Sequence, residues 1–175
     1  MGKALILYRS KGGSTARYAQ ALARMTGGRA LPAAQADGAL LVSAEQIVFA
    51  SWMRAGALAG IGYLRRHAAQ LRGKRLTLMA VGLSPRLDTA AWEVSIRRSL
   101  PDFPLEEIRT FYLRGAYSPA QRSPLTRGLL AAMGKTLQRK PDASAQELAL
   151  AHDLLYGGDH VQEDALAAIA LYLTG

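Results

Sequence analysis

The sequence predicts an α/β fold in which a five-stranded parallel sheet carries helices on both faces. Short apolar runs alternate with helical patterns up to residue 113, which is the arrangement of repeated β-α-β units. The first run is rich in Leu and Ile at consecutive positions, as in a central strand that is buried on both faces. The predicted strands cover residues 1–8, 29–31, 46–51, 75–81 and 107–113.

Capping signals predict the helices. Residues 57–72 have apolar positions at helical spacing, and four later signals each precede a similar pattern. These signals are Asp88 or Thr89, Ser123-Pro124, Ser144 with Glu147 as a capping box, and Asp159 before the last helix. We expect one domain over residues 1–175, with residues 142–175 as a helical tail packed on it.

The composition excludes several classes of protein. The chain has no Cys, so disulfides, thiolate nucleophiles and thiolate metal sites are absent. No apolar run approaches the roughly 20 residues that a membrane span needs, and the N-terminus has no signal-peptide pattern. We therefore expect a cytoplasmic protein.

The charge is strongly basic, with 22 Lys and Arg against 13 Asp and Glu and a net charge of +9. Residues 54–75 contain six basic residues and no acid, and residues 109–140 contain seven and no acid. Each run is either a solubilising surface or a contact for an anionic partner. For 109–140 that partner is an anionic substrate or membrane surface, which would place the protein peripherally at the inner face of the membrane. Nucleic acid is not expected, because no recognisable nucleic-acid-binding module appears.

The loop after the first strand has the composition of an anion-binding site. A buried strand, a tight loop and a helix start follow one another, and the first N–H groups of a helix have no internal partner. Glycines let the backbone close around an anion, while hydroxyls and a lysine supply donors and charge. The alternative is a helix capped by a serine after a tight turn. The residues are Ser10, Lys11, Gly12, Gly13, Ser14 and Thr15.

Other nucleotide and catalytic motifs fit less well. Gly134-Lys135-Thr136 has Leu129 where a P-loop needs its first glycine, and it lies inside a helical pattern. The opening loop lacks the three-glycine dinucleotide fingerprint, which favours a mononucleotide. Residues 82–86 lack the second glycine of a nucleophile elbow. The three histidines lie on separate predicted helices without metal-ligand spacing, so we predict no metal site.

The opening stretch resembles the flavodoxin signature. The matching residues are Ile6, Leu7, Tyr8, Ser10, Gly13, Thr15, Ala19 and Leu22. The resemblance implies a flavodoxin-like three-layer sandwich with strand order 2-1-3-4-5, and flavin mononucleotide (FMN) as the cofactor. It also implies that the loop hydroxyls and backbone amides of residues 10–15 hold the FMN phosphate.

The same resemblance implies that two more loops contact the flavin ring. Trp52 is the residue expected to stack on the ring, and its alternative role is an aromatic of the core. Many flavodoxins place an aromatic in the loop after the fourth strand, and residues 82–86 contain none. The flavin is then more exposed, or covered by Tyr117 or by aliphatic groups. The implied contacts are Ser51, Trp52, Met53 and Arg54 in the first loop and Gly82, Leu83 and Ser84 in the second.

The basic charge departs from electron-carrying flavodoxins, which are typically acidic. A closer likeness is the flavodoxin-domain branch that includes the menaquinone-dependent protoporphyrinogen oxidases, on the pattern of residues 112–117, Arg122, Arg127 and a Leu/Met stripe. This likeness implies an FMN-dependent oxidoreductase acting on a small-molecule substrate or with a redox partner. The flavin does the chemistry, so we assign no catalytic side chain. Two alternatives are a flavodoxin-type electron carrier that docks an acidic reductase, and a flavin-free scaffold.

Overall fold

A parallel sheet with helices on both sides forms the structure, a computed structural model that describes residues 4–54, 56–101, 103–104 and 107–175. The parallel strands have the order β2-β1-β3-β5-β6, which confirms the predicted order, and β4 pairs antiparallel with the end of β3. A separate two-stranded ladder joins β7 to β8. The strands are β1 (Leu5–Tyr8), β2 (Arg29–Pro32), β3 (Gln46–Arg54), β4 (Ala57–Leu58), β5 (Arg75–Gly82), β6 (Arg109–Arg114), β7 (Ala116–Tyr117) and β8 (Gly158–Asp159).

Two apolar layers separate the sheet from its helices. Alternate residues of the central strands point to opposite faces, so that Ile47 and Phe49 enter one layer while Val48 and Ala50 enter the other. Helices α2 to α5 cover the first layer, and α1 and α8 cover the second. The helices are α1 (Ser14–Thr26), α2 (Gly38–Ser43), α3 (Gly62–Arg66), α4 (Ala68–Leu71), α5 (Thr89–Ser99), α6 (Pro124–Arg139), α7 (Ala145–Tyr156) and α8 (Ala167–Thr174).

Three predicted helix starts are confirmed at their caps. Asp88 accepts from the N–H of Ala91, Ser123 accepts from that of Thr126, and Ser144 forms the capping box with Glu147. Asp159 was expected to cap the last helix and does not. It lies in β8, its carboxylate accepts from the N–H of Val161, and α8 begins only at Ala167.

The prediction for residues 51–72 was wrong in its boundaries. Strand β3 continues to Arg54 because it pairs with β5 as far as Trp52 and then with β4. Residues 51–54 and 57–58 are therefore paired strands rather than parts of a loop and a helix. The predicted helix over 57–72 starts at Gly62 and is interrupted at His67, between α3 and α4. Two parts of the predictions, residues 1–3 of the first strand and Ala55 of the loop, lie outside the described residues.

Polar contacts connect the C-terminal segment to α1. The Tyr18 hydroxyl donates to the Arg114 carbonyl at 2.7 Å and accepts from the N–H of Gln162 at 3.1 Å. Arg17 pairs with Asp159 at 2.6 Å at the surface. Leu166, Ile169 and Leu173 complete the apolar layer against α1.

Helices α6 and α7 form a hairpin beside the sheet. Gly134 allows their close approach, because a Cβ at this position would lie 3.0 Å from the Ala151 carbonyl oxygen. The opposite side of α6 exposes three large apolar residues, Leu125, Leu129 and Met133. None of the described helices is long and apolar enough to cross a bilayer.

Candidate functional site

The loop between β1 and α1 wraps around the start of the helix. Gly13 has φ 90°, a left-handed conformation that glycine adopts without strain, and its N–H donates to the Ser10 hydroxyl at 3.2 Å. No side chain caps α1, so the structure does not support the alternative of a serine-capped helix. The first helical bond runs from the N–H of Arg17 to the Gly13 carbonyl at 2.9 Å. The N–H groups of residues 14–16 precede that bond and form the positive end of the helix dipole.

The six predicted loop residues divide into two groups by exposure. Residues 10–13 are exposed, whereas Ser14 and Thr15 are buried. The Ser14 hydroxyl accepts from the N–H of Ala116 at 2.8 Å, which joins the start of α1 to β7. The exposed group carries the Ser10 hydroxyl and the Lys11 ammonium group, and the first turn of α1 contains no acidic residue. The loop can therefore accept an anion from the solvent side.

Trp52 lies between the core and the solvent. It is partly exposed near the end of β3, and the guanidinium carbon of Arg9 is 5.8 Å from its ring centroid. The other three residues predicted to contact the flavin from this segment differ from Trp52 in their exposure and contacts. Ser51 is buried with its hydroxyl donating to the Ala59 carbonyl at 2.7 Å, Met53 packs against the core, and Arg54 is exposed.

A cleft of about 420 Å³ connects the loop to Trp52. It contains three aromatic rings, two arginines and no carboxylate among its described lining residues. Burial raises the pKa of Tyr63, whose hydroxyl is buried without a hydrogen-bond partner in the described part of the chain. The lining residues are Tyr8, Arg9, Ser10, Pro32, Ala33, Ala34, Trp52, Tyr63 and Arg66.

The third predicted segment, residues 82–84, borders another part of the structure. Gly82 is the last residue of β5, and a Cβ there would lie 2.5 Å from the Tyr112 hydroxyl. That hydroxyl donates to the Ser84 carbonyl at 2.7 Å, and burial raises the pKa of Tyr112 to about 12. Leu83 and Ser84 are partly exposed, and Ser84 lines a second cleft of about 370 Å³ that reaches Glu147 and Leu150 of α7. The structure thus brings Ser10 and Trp52 to one cleft and Ser84 to another.

Sequence reasoning missed several residues of this site. Arg9 directly follows β1 and could have been suspected, since residues at the carboxyl ends of parallel strands meet ligands. Tyr112 of the neighbouring strand donates a hydrogen bond to the Ser84 carbonyl, and the sequence of residues 82–84 does not indicate this contact. Arg122 was placed in a basic surface run, and its guanidinium instead lies against the loop at Gly12.

The residues present fit a flavin nucleotide. The exposed loop offers N–H groups, a hydroxyl and positive charge to a phosphate, and the adjoining cleft offers aromatic faces to a flat ring. Among the described residues, no carboxylate lines this cleft to repel the phosphate. Gly12 and Gly13 leave the approach to the backbone open apart from the side chain of Arg122.

Comparisons with known proteins identify the family of this chain. The flavodoxin domain family matches residues 5–144, and no curated protein matches the chain. Similar solved structures include a proposed flavoprotein from Bacteroides eggerthii, with 15% identity over 70% of this chain and 91% of that one and a TM-score of 0.49. The Trp repressor binding protein from Bacillus subtilis has 16% identity over 90% and 100%, with a TM-score of 0.46. The flavodiiron protein from Giardia intestinalis has 18% identity over 87% and 37%, with a TM-score of 0.42.

All three TM-scores are low, so the assignment rests on the family match, which extends over most of the chain. Membership indicates a flavin as the cofactor. The chain belongs to the flavodoxin domain family.

Proposed function

We propose that the protein binds one FMN non-covalently and acts with it as an oxidoreductase. The observation that carries this proposal is the cleft shared by Ser10 and Trp52, which joins an anion-binding loop to an aromatic surface without a carboxylate. A mononucleotide carrying a flat ring has these two parts at a short separation. The loop lacks the three-glycine pattern of dinucleotide sites, which favours FMN over a flavin dinucleotide.

In this proposal the chain binds and orients the cofactor. The N–H groups at the start of α1, with the Ser10 hydroxyl and Lys11, hold the phosphate. Trp52 and Tyr63 provide the apolar wall for the ring, and burial of the ring excludes water from one of its faces. The flavin supplies the electron-transfer chemistry when it is bound, and we assign no side chain as acid or base.

An absorbance spectrum of the purified protein, before and after adding FMN, tests this proposal. We expect either a yellow protein or a colourless one that takes up FMN stoichiometrically at micromolar concentration. Failure to bind FMN at that concentration contradicts the proposal and leaves the flavin-free scaffold as the better hypothesis.

We further propose an amphipathic, anionic substrate, as in the protoporphyrinogen oxidase branch that the sequence resembles. The exposed face of α6 supports this proposal, because it presents Leu125, Leu129 and Met133 next to the exposed Lys135 and Arg139. The described part of α6 contains no acidic residue. Apolar residues flanked by cations suit either such a substrate or the surface of a membrane with anionic lipids.

Turnover of protoporphyrinogen by the FMN-loaded protein tests the substrate, and sedimentation with vesicles of anionic or neutral lipid tests the surface. The informative variant replaces Arg127, Lys135 and Arg139 by Gln, since none of the three forms an ion pair within the described residues. We expect both turnover and binding to anionic vesicles to fall. Equal turnover and equal sedimentation before and after the change contradict the proposed role of α6.

The net charge of +9 favours one competing function, an electron carrier that docks an acidic reductase. A carrier would be reduced by its partner with a rate that falls steeply with salt, and it would show no turnover of a substrate of its own. Stopped-flow reduction by an acidic flavin reductase at low and high ionic strength separates the two functions.

A further inference from the structure

Arg122 reaches the anion-binding loop from a distant part of the chain. It follows a short turn at Pro119–Gln121 and precedes the cap of α6, and its N–H donates to the Pro119 carbonyl at 3.2 Å. Its side chain extends back to the loop, where a terminal nitrogen of the guanidinium group lies 2.7 Å from the position that a Cβ of Gly12 would occupy. The contact therefore depends on the absence of a side chain at Gly12.

The ring of Tyr117 supports the Arg122 guanidinium group. The guanidinium carbon is 5.6 Å from the ring centroid, within the range of a cation–π contact. Tyr117 is itself buried and belongs to β7, the strand whose Ala116 is bonded to Ser14. The ring and the loop are thus connected through one short strand, which fixes the guanidinium group relative to the start of α1.

Arg122 has no carboxylate partner among the described residues. The other cations near the loop differ from it. Arg17 pairs with Asp159 at 2.6 Å, Arg9 lies over Trp52, and Lys11 is exposed. Arg122 is half-buried and unpaired, so an anion in the loop would compensate a charge that has lost part of its hydration.

We infer that Arg122 contacts the phosphate of the bound flavin and makes the site selective for FMN over riboflavin, which lacks the phosphate. This inference rests on the proposed FMN-binding function and extends it to a specificity-determining residue. The planar guanidinium group offers two parallel N–H donors to a phosphate, a geometry that Lys cannot reproduce.

Equilibrium titrations of FMN and riboflavin, followed by quenching of flavin fluorescence, test the inference on the wild-type protein and Arg122→Gln. We expect the variant to lose about tenfold in FMN affinity and to bind riboflavin as the wild type does. FMN binding should also become less sensitive to salt, and Arg122→Lys should recover part of the loss. Arg98→Gln, a change at an exposed arginine of α5, is the matched control and should alter neither affinity.

Gly12→Ala gives a second test, because the added methyl group would displace the guanidinium group from the loop. It should lower FMN affinity in the wild-type background, and by a smaller factor in the Arg122→Gln background, where no guanidinium group is left to displace. Gly38→Ala, at a glycine with open space around its Cβ position, serves as its control.

The outcomes separate the inference from the proposed function. If the wild type binds FMN and Arg122→Gln binds FMN and riboflavin with the wild-type ratio, the inference is wrong and the proposed function stands. If the wild type binds neither flavin, both are wrong. A selective loss of FMN affinity supports both.

Discussion

The anion-binding loop and the α6–α7 hairpin are attached to the sheet in different ways. The loop is continuous with a buried central strand and with α1, whose Tyr18, Ala19 and Leu22 are almost completely buried. The hairpin has little contact with the apolar layers, and its attachment depends on Asp153 and on the short β7–β8 ladder. The proposed FMN site is therefore built on the sheet and α1, while the proposed partner surface of α6 lies on a hairpin with fewer contacts to the apolar layers.

Substituting Asp153 should give the largest loss of stability, and that loss should be confined to the hairpin. Its carboxylate is buried, and it pairs with Arg114 at 2.7 Å and with His160 at 2.8 Å. Asp153→Ala leaves the partly buried Arg114 without its anion, so the free energy of unfolding should fall by about 3 kcal/mol. Hydrogen exchange should increase in α7 before it increases in β1 to β3. Asp142→Ala, in the exposed loop between α6 and α7, should have almost no effect, and uniform destabilisation of the sheet would contradict the separation of the two units.

Ser14 should give the next largest effect, because it belongs to the loop and bonds to β7, the strand through which the hairpin is attached. Ser14→Ala removes the acceptor of the Ala116 N–H and leaves a partly buried donor unsatisfied, which costs about 2 kcal/mol. FMN affinity should fall as well, since this bond fixes β7 and Tyr117 against the loop. Chemical denaturation and FMN titration measure the two effects.

Ser10→Ala is the contrasting variant. Its hydroxyl is exposed, so stability should stay close to that of the wild type while FMN affinity falls. If Ser10→Ala and Ser14→Ala had equal effects on stability, the division of the loop into a binding part and a structural part would be wrong.

Tyr112 tests the contribution of a single hydrogen bond within the sheet region, away from the hairpin. Tyr112→Phe removes the hydrogen bond to the Ser84 carbonyl and should cost about 1 kcal/mol. Burial raises the pKa of Tyr112 from 10.0 to about 12, so the neutral hydroxyl is favoured in the folded state. Its contribution is fully present below pH 10 and is lost as the pH rises through 12. The difference in stability between the wild type and Tyr112→Phe should therefore shrink over that range, as measured by chemical denaturation at several pH values.

Glu147 should give the smallest effect, at the start of α7. Its hydrogen bonds with Lys140 and Ser144 lower its pKa from 4.5 to about 2. A lowered carboxyl pKa stabilises the fold above pH 4.5, and this stabilisation is lost as the pH falls through 2. Glu147→Gln should lose less stability than the wild type between these two values, as followed by acid unfolding of the helices. Identical acid profiles would show that the capping box contributes nothing to the hairpin.

Local patterns in the sequence account for much of the fold. The loop at residues 10–15 and the caps of α5, α6 and α7 depend on residues close together in the chain, and each is present in the structure. The strand order was expected from the flavodoxin resemblance, and the structure confirms it. The pairing of β3 with β4 was missed because it joins residues on both sides of a predicted loop, and no local pattern marks the two-residue strand β4. Asp159 was assigned to a helix cap for a similar reason, because its strand partner Ala116 of β7 lies far from it in the chain.

The site could be predicted only in part for the same reason. Trp52 was expected in a loop and instead lies in β3, and its cleft is completed by Arg9 after β1 and by Tyr63 and Arg66 of α3. Arg122 lies more than a hundred residues after Gly12, and no local pattern connects them. Contacts of this kind depend on the completed fold.

The central claim is that the cleft shared by Ser10 and Trp52 holds FMN. Calorimetric titration of FMN into the wild type, Trp52→Ala and Tyr156→Ala tests it most directly, since Tyr156 is an exposed aromatic outside the described lining of the cleft. We predict binding of one FMN by the wild type and by Tyr156→Ala with equal affinity, and at least tenfold weaker binding by Trp52→Ala. No binding by the wild type, or equal binding by all three proteins, would contradict the claim.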